Sequence, residues 1–256
     1  MTRRFVLLLA GLLAFGALKL PAERHLEAVH RAAFFHGTRL DLSLREQIGQ
    51  MGFLAALSGF RSLVADALYL HAHTAWERTE WGTMKLDFDA VTALQPRCLL
   101  FWDQAAWHMA YNASVAALEN KKQPREALRI KAQREYWKLG EEYLLKGIAN
   151  NPDRPMLYDR LGFLYREKFQ DHCKSAEAYR QCALLPKAPQ YAHRFAAYEL
   201  AQCAGHEREA YELLRSLYLR GEDEHLPTLL RWLDNLQQKL DIPAAERVYT
   251  PARLKP

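Results

Sequence analysis

Residues 147–165 read GIANNPDRPMLYDRLGFLY, and this stretch carries the strongest indication of the fold. A helical run ends at Pro152, and a second helical pattern follows it at once. A similar ending recurs at Pro186, 34 residues later, and an earlier one stands at Pro96. Proline cannot continue a helix, and it disfavours helical geometry in the residue before it. The three prolines therefore predict a series of helix pairs that are separated by short turns.

The helix expected after each proline combines large and small residues on one face. A large residue fills a hole in the previous pair, and a small residue lets two helices approach closely. After Pro152 the pattern is Y-x-x-L-G-x-x-Y, at Tyr158, Leu161, Gly162 and Tyr165. This pattern and the 34-residue period resemble the tetratricopeptide repeat. The resemblance implies an all-α solenoid of helical hairpins, whose first helices line a groove that binds peptides.

The period is irregular in the middle of the chain. Pro152 follows Pro96 by 56 residues, which is one period plus 22, and the polar stretch at 118–127 is the predicted place for that insertion. Further helices are expected over residues 43–57, 60–76, 81–94 and 227–240. The last of these has a polar face, so it is expected to cap the stack.

Composition agrees with an all-helical chain. Of 256 residues, half are hydrophobic and a quarter are charged, and only 12 are glycine and 11 proline. The commonest residues are good helix formers. The net charge of +5 is modest and its cations are spread along the helices, so no nucleic-acid partner is expected.

The N-terminus carries a charged and apolar pattern that is typical of export or insertion. Arg3 and Arg4 precede an apolar run over residues 5–18, which Lys19 interrupts. A lysine near a helix end can extend its charge to the membrane surface, so residues 5–22 reach the lower limit of about 17 residues for a span. A run of this length also fits a cleavable signal peptide.

The predicted location follows from this segment. We expect a single-pass anchor in the cytoplasmic (inner) membrane, with the N-terminus in the cytoplasm and the body in the periplasm. The alternative is cleavage and secretion to the periplasm. The domains are then an anchor or signal at 1–22, a linker with leading helices at 23–58, a repeat domain at 59–240 and a tail at 241–256.

Two segments indicate a more specific resemblance. Residues 59–70 read GFRSLVADALYL, and residues 106–112 read AWHMAYN. They are similar to the GFRxLxAD and AWxMAYN segments of a group of membrane-anchored, tetratricopeptide-like bacterial proteins. The resemblance implies the anchor and the repeat fold, and it brings no activity with it.

The cysteines leave two possibilities open. Of the four cysteines, Cys173 and Cys182 could pair in an oxidising compartment. Alternatively, they serve as small apolar residues between helices.

Polar and aromatic residues in the two segments are the candidates for binding. Arg61 and Asp66 lie five residues apart and project about 140° apart on a helix, so they are not expected to pair with each other. Each would contact a ligand or partner, or pair with a neighbouring helix. Trp107 and Tyr111 have a spacing that fits a groove as well as a packed core. The complete candidate set is Arg61, Asp66, Trp102, Trp107, Tyr111, Asn112 and Tyr158.

No pattern points to catalysis, a cofactor or a metal. His71 and His73 are two residues apart, so on a helix they point to nearly opposite sides. The chain has no GxGxxG, GxxxxGK[ST], HExxH or GxSxG motif, and it is not expected to be an enzyme.

The leading hypothesis is an extracytoplasmic scaffold that binds another protein in an envelope assembly. One alternative is a ligand- or glycan-binding module or a hydrolase, with a pocket formed by Arg61, Asp66, His108 and Asn112. The other alternative is a purely structural stalk.

Overall fold

The computed structural model describes residues 59–250 and, before them, residues 6, 7, 10, 11, 14–22, 24, 25 and 49. In this part of the chain every regular element is helical and no strand occurs, which confirms the all-α class. Apart from residue 49, the predicted helix at 43–57 lies outside the described residues. Most of the linker and the end of the tail lie outside them as well.

The predicted anchor is described only in part. Residues 14–22 are helical, with the Phe15 ring 6.1 Å from the Phe60 ring. Lys19 Nζ donates to the carbonyl of Gly59 at 3.1 Å. Among the helices that the described residues form, none combines the length and apolarity that crossing a membrane requires.

Two compact units divide the chain, one ending at Tyr136 and the other beginning at Trp137. The span 59–240, expected as one repeat domain, therefore contains parts of both. The first unit holds α1 (Arg61–Glu77), α2 (Trp81–Leu94), α3 (Leu99–Trp107), a π-helical segment (His108–Ala113), α4 (Ser114–Leu118) and the start of α5 (Glu126–Asn150).

The first unit is built on the hairpin of α1 and α2. Its core includes Ala65 of α1, Val91 and Leu94 of α2 and Phe101 of α3, each at most 5% exposed. The helices predicted at 60–76 and 81–94 are confirmed by α1 and α2.

The second unit continues from the rest of α5 with helices that pack in sequence order. They are α6 (Pro155–Leu164), a π-helical segment (Tyr165–Phe169), α7 (His172–Leu184), α8 (Tyr191–Leu200), α9 (Glu207–Tyr218) and α10 (Pro227–Lys239), with 3₁₀ turns at Glu222–Glu224 and Ala244–Glu246. From α6 onward each helix packs on the next. Leu214, Leu229 and Leu233 form the buried centre between α9 and α10. Sequential packing of this kind is the pattern of helical-repeat proteins.

The same turn follows α2, α5 and α7. Each of these helices ends two residues before a proline. The backbone N–H two residues after the proline then donates to the carbonyl of the residue before it, at 3.0 Å around Pro96 and 3.2 Å around both Pro152 and Pro186. Proline stands second in these four-residue turns, where its fixed φ angle fits.

An aromatic side chain closes two of these turns. Trp102 Nε1 donates to the Pro96 carbonyl at 2.9 Å, and the Tyr158 hydroxyl donates to the Pro152 carbonyl at 3.2 Å. Both aromatic residues stand six positions after their proline. Both belong to the candidate binding set from the sequence, and in the structure they hold the turn before their own helix in place.

The extra length before Pro152 is helical rather than a loop. Residues 119–125 are the only non-helical ones between α4 and α5, and α5 alone has 25 residues. The polar composition at 118–127 indicated an insertion, but much of the added length extends the helix that follows.

The second unit contains a disulfide, and its pairing differs from the predicted possibility. Cys173, in the first turn of α7, is bonded to Cys203, which follows α8, with 4.9 Å between their Cα atoms. Cys182 is buried and has a free thiol. Nine residues of helix separate Cys173 from Cys182 by about 13.5 Å, which no disulfide can span. Antiparallel packing of α7 and α8 instead brings the start of one helix to the end of the other.

Gly162 of α6 marks the closest approach between α6 and α7. A Cβ at this position would lie 2.9 Å from ring atoms of Tyr179. The Tyr179 ring is only 1% exposed and also packs on Phe195, with centroids 5.3 Å apart, so it has little room to move. Ser175 Oγ donates to the Gly162 carbonyl at 2.9 Å, which holds the two helices together at this point.

Gly162→Ala is therefore expected to lower the free energy of unfolding by about 1–3 kcal/mol, because the new methyl group overpacks the interface. Gly82→Ala is the matched control, since Gly82 is exposed on α2 and nothing lies within 4 Å of an added Cβ. The same change there is expected to leave stability unchanged or raise it by up to about 1 kcal/mol. Urea unfolding followed by circular dichroism measures both, and equal effects at the two positions would contradict the interpretation.

Candidate functional site

The candidate site lies on one continuous helical rod in the first unit. Residues 99–118 pass from α3 through the π-helical segment into α4. Ser114, which is fully buried, donates its hydroxyl to the Ala110 carbonyl at 2.6 Å. A π-helical insertion widens the turn and changes which residues share a face, and such insertions are frequent at functional sites.

A histidine is buried on the inner side of this rod. His108 is 5% exposed, and its ring lies 5.4 Å from that of Trp76 and 5.6 Å from that of His73. Burial lowers the pKa of His108 to about 4, and the neighbouring His73 acts in the same direction. His108 is therefore a neutral imidazole at physiological pH.

Asn112 determines which nitrogen of His108 carries the proton. The Asn112 amide nitrogen lies 2.9 Å from His108 Nδ1. An amide nitrogen can only donate, so Nδ1 accepts and the proton of the neutral ring is on Nε2. The sequence candidates His108 and Asn112 are thus brought together, one turn apart on the same rod.

A histidine–carboxylate pair joins α1 to α2. His71 Nδ1 lies 2.8 Å from Asp87 Oδ2, with the His71 side chain 60% exposed and that of Asp87 12% exposed. Burial raises the pKa of Asp87, and the hydrogen bond from His71 partly offsets that rise. His71 contacts Asp87 whereas His73 contacts His108, so the two histidines serve different neighbours. In the described part of the chain, no group of three histidine, cysteine or acidic side chains could hold a metal ion.

The outer side of the rod carries an apolar stripe. Leu100 is 50% exposed, Trp107 45% and Val115 41%. Tyr111 lies between the last two and stacks on Trp107, with ring centroids 4.2 Å apart and planes 15° apart. We call Leu100, Trp107, Tyr111 and Val115 the α3–α4 stripe. A large stacked aromatic pair at the surface, in line with two aliphatic side chains, is typical of a protein-binding face.

Four other candidate residues from the sequence lie outside this stripe. Asp66 is exposed on α1, and Arg61 is half-buried at the start of that helix. Two α1 residues, His73 and Trp76, have rings that contact His108, and Arg61 precedes the nearer of them in sequence, His73, by 12 residues, or about 18 Å along the helix axis. The structure therefore does not gather Arg61 with His108 and Asn112. Trp102 and Tyr158 lie in the turn contacts described above.

Sequence reasoning missed Leu100 and Val115 as members of a surface. Their spacing from Trp107 and Tyr111 is seven and four residues, which is a helical period and could have indicated a common face. This holds for Leu100 and Trp107, which both lie in α3. Spacing alone does not place Val115, because the π-helical segment that precedes it alters the rotation per residue.

Comparison with known proteins identifies no relative of this chain. No protein-family model matches the chain, and no curated protein matches it.

The dependence of stability on pH tests whether burial keeps the His108 ring neutral. The pKa of His108 is about 4 in the folded protein against an ordinary 6.5, so between these values the unfolded chain binds the proton more readily. The free energy of unfolding is therefore expected to fall as the pH drops from 6.5 to about 4, by on the order of 3 kcal/mol. His108→Asn should remove this slope in urea titrations between pH 4 and 7.

His193→Asn is the control, since His193 is exposed on α8, and it should keep the wild-type slope. The raised pKa of Asp87 changes stability with pH in the opposite direction. Asp87 is present in all three proteins, so its effect cancels when their slopes are compared. Equal slopes in wild type and H108N would show that burial does not hold His108 neutral.

Proposed function

We propose that this chain is a tetratricopeptide-like scaffold that works outside the cytoplasm and binds an amphipathic helix of a partner protein along the α3–α4 stripe. The observation that carries the proposal is the exposed Trp107 ring, stacked on the partly buried Tyr111, together with the exposed side chains of Leu100 and Val115 on the same rod.

The shape of the stripe favours a helix as the bound segment. Leu100 and Val115 are 15 residues apart, which corresponds to about 22 Å of helix. A partner helix with apolar residues every three or four positions offers a seam of the same length. Trp107 and Tyr111 would supply most of the binding energy, because large rigid rings bury much area and lose little conformational entropy.

Support for a repeat scaffold comes from the recurrent turns. The proline turns around Pro96, Pro152 and Pro186 have the same hydrogen bond, and two of them have the same aromatic closure. Helices that pack in sequence order around such turns are built to present surfaces, and tetratricopeptide proteins use them for this purpose.

Support for a location outside the cytoplasm comes from the disulfide. The bond between Cys173 and Cys203 belongs to an oxidising compartment. The apolar run at residues 5–18 provides the means of export. We propose that residues 5–22 remain as an inner-membrane anchor, with cleavage and release to the periplasm as the other outcome.

The alternatives have less support. His108 is buried, neutral and bonded to Asn112, so these two residues serve packing better than acid–base chemistry. A stalk alone would not explain why a tryptophan and a tyrosine stack at the surface, at a cost in exposed apolar area.

A photo-reactive amino acid placed at Trp107 tests the proposed face in intact cells. We expect it to crosslink to one partner protein, and the same partner to appear with the reagent at Val115. The control position is Leu184, which is 70% exposed in the second unit and lies outside the stripe. A self-crosslink, or the same products from all three positions, would count against the proposal.

Binding measurements with the identified partner give the quantitative test. Trp107→Ser is expected to weaken binding by on the order of 30-fold, the loss typical of a central aromatic residue in an interface. Trp107 is exposed, so the variant should keep its circular dichroism spectrum. Leu184→Ser is the matched control, and unchanged affinity in W107S would refute the stripe as the binding face.

Thiol mapping tests the compartment. The full chain from the membrane or periplasmic fraction, alkylated without reductant, is expected to give a linked Cys173–Cys203 peptide. Burial raises the pKa of the Cys182 thiol to about 11, so Cys182 should react only after unfolding. Cys173→Ser should lower the free energy of unfolding by about 3–4 kcal/mol, with Cys98→Ser as the control of small effect. Free Cys173 and Cys203 in the exported protein would contradict the proposed location.

A further inference from the structure

The first unit has a cavity that the α3–α4 stripe does not include. Its volume is about 510 Å³, which is within the range of small-molecule sites. The wall is formed by the turn between α1 and α2, the end of α4 with the loop after it, and the first turns of α5. The turn between α1 and α2 is distant in sequence from the other two segments, which follow one another along the chain, and it meets them only in the folded unit.

The cavity wall is positively charged. Lys122 from the loop and Arg129 from α5 line it, and its described lining residues include no carboxylate. Nearby acidic residues, Glu80 and Glu119, are exposed and do not belong to the lining. An anion in the cavity would therefore meet cations without a competing acidic side chain in the wall.

Arg129 has an unused donor at this wall. Its Nε atom is buried and has no hydrogen-bond partner among the described residues. A buried donor that bonds to nothing is unfavourable. A guanidinium presents its N–H donors in a planar fork that matches two oxygens of a carboxylate or phosphate group.

Two side-chain amides in the cavity wall have their oxygens engaged in hydrogen bonds, so they can act toward a ligand as donors. The side-chain oxygen of Asn120 accepts the backbone N–H of Lys122 at 3.0 Å, and that of Gln123 accepts the backbone N–H of Arg125 at 3.3 Å. With their oxygens engaged, the two amides can offer N–H groups to a ligand. Both residues line the cavity.

The rest of the wall is aromatic and aliphatic. Trp81 and Tyr136 line the cavity, and burial raises the pKa of the Tyr136 hydroxyl. A tyrosine hydroxyl can donate a hydrogen bond to an anion. Thr79, also in the wall, has a φ of +58°, a conformation that is strained for a β-branched residue. Such strain is concentrated at binding sites in proteins.

We propose that this cavity binds a small organic anion, with its carboxylate or phosphate group on Arg129 and Lys122 and its flat apolar body against Trp81. The site is separate from the α3–α4 stripe, so the two can be tested independently.

Calorimetric titration of the purified full chain tests this proposal with four probes. Benzoate and phenyl phosphate carry the two anionic groups on one ring, benzamide has the same shape without charge, and inorganic phosphate has charge without the ring. We expect one of the two ring-bearing anions to bind with a stoichiometry of one, and benzamide and inorganic phosphate to bind at least about 10-fold more weakly. The stronger of benzoate and phenyl phosphate identifies the anionic group.

Arg129→Gln is expected to weaken binding of that anion by about 10-fold or more, and Lys122→Gln by a smaller factor. The control is Arg134→Gln, which removes the same charge from an exposed position of α5 and should leave the affinity unchanged. Equal weakening by R129Q and R134Q would show a general charge effect and overturn the site. Absence of binding by both ring-bearing anions at millimolar concentration would overturn it as well. K122Q provides the same test if R129Q does not fold.

Discussion

Three prolines that end helices set the arrangement on which the rest of the structure depends. Proline has no N–H to donate and restricts the residue before it, so α2, α5 and α7 all stop two residues short of one. The hydrogen bond across each turn then fixes the direction of the next helix. Where an aromatic side chain also bonds to the proline carbonyl, as Trp102 and Tyr158 do, the first helix of the pair is held to its own turn.

This constraint explains which parts of the fold could be predicted. Prolines and helical spacing act locally, so α2 and α10 appear close to where the sequence indicated them. The disulfide depends on antiparallel packing of α7 and α8, so the sequence left open whether Cys173 pairs and did not indicate Cys203 as its partner. The long α5 was missed because a charged helical surface and a polar loop have nearly the same composition.

The candidate site was predicted less completely, and for a different reason. Trp102 and Trp107 lie five residues apart in α3, about 140° around the helix, so helical spacing already accounts for exposures of 5% and 45%. The π-helical segment that follows changes the rotation of the rod, so period counting does not carry across it. The cavity at Arg129 could not be predicted from local sequence, because it forms only where α5 and the loop before it meet the turn between α1 and α2.

The disulfide also affects how the second unit responds to mechanical load. Cys173 and Cys203 are 30 residues apart in sequence, and the bond between them encloses nearly all of α7 and α8. A force pulling on the two ends of the chain would pass directly through the sulfur atoms. About 100 Å of contour length, at roughly 3.4 Å per residue, would then be withheld from extension. The α7–α8 hairpin would keep its two helices linked while its neighbours unravelled, and would limit how far the chain could stretch between its two ends.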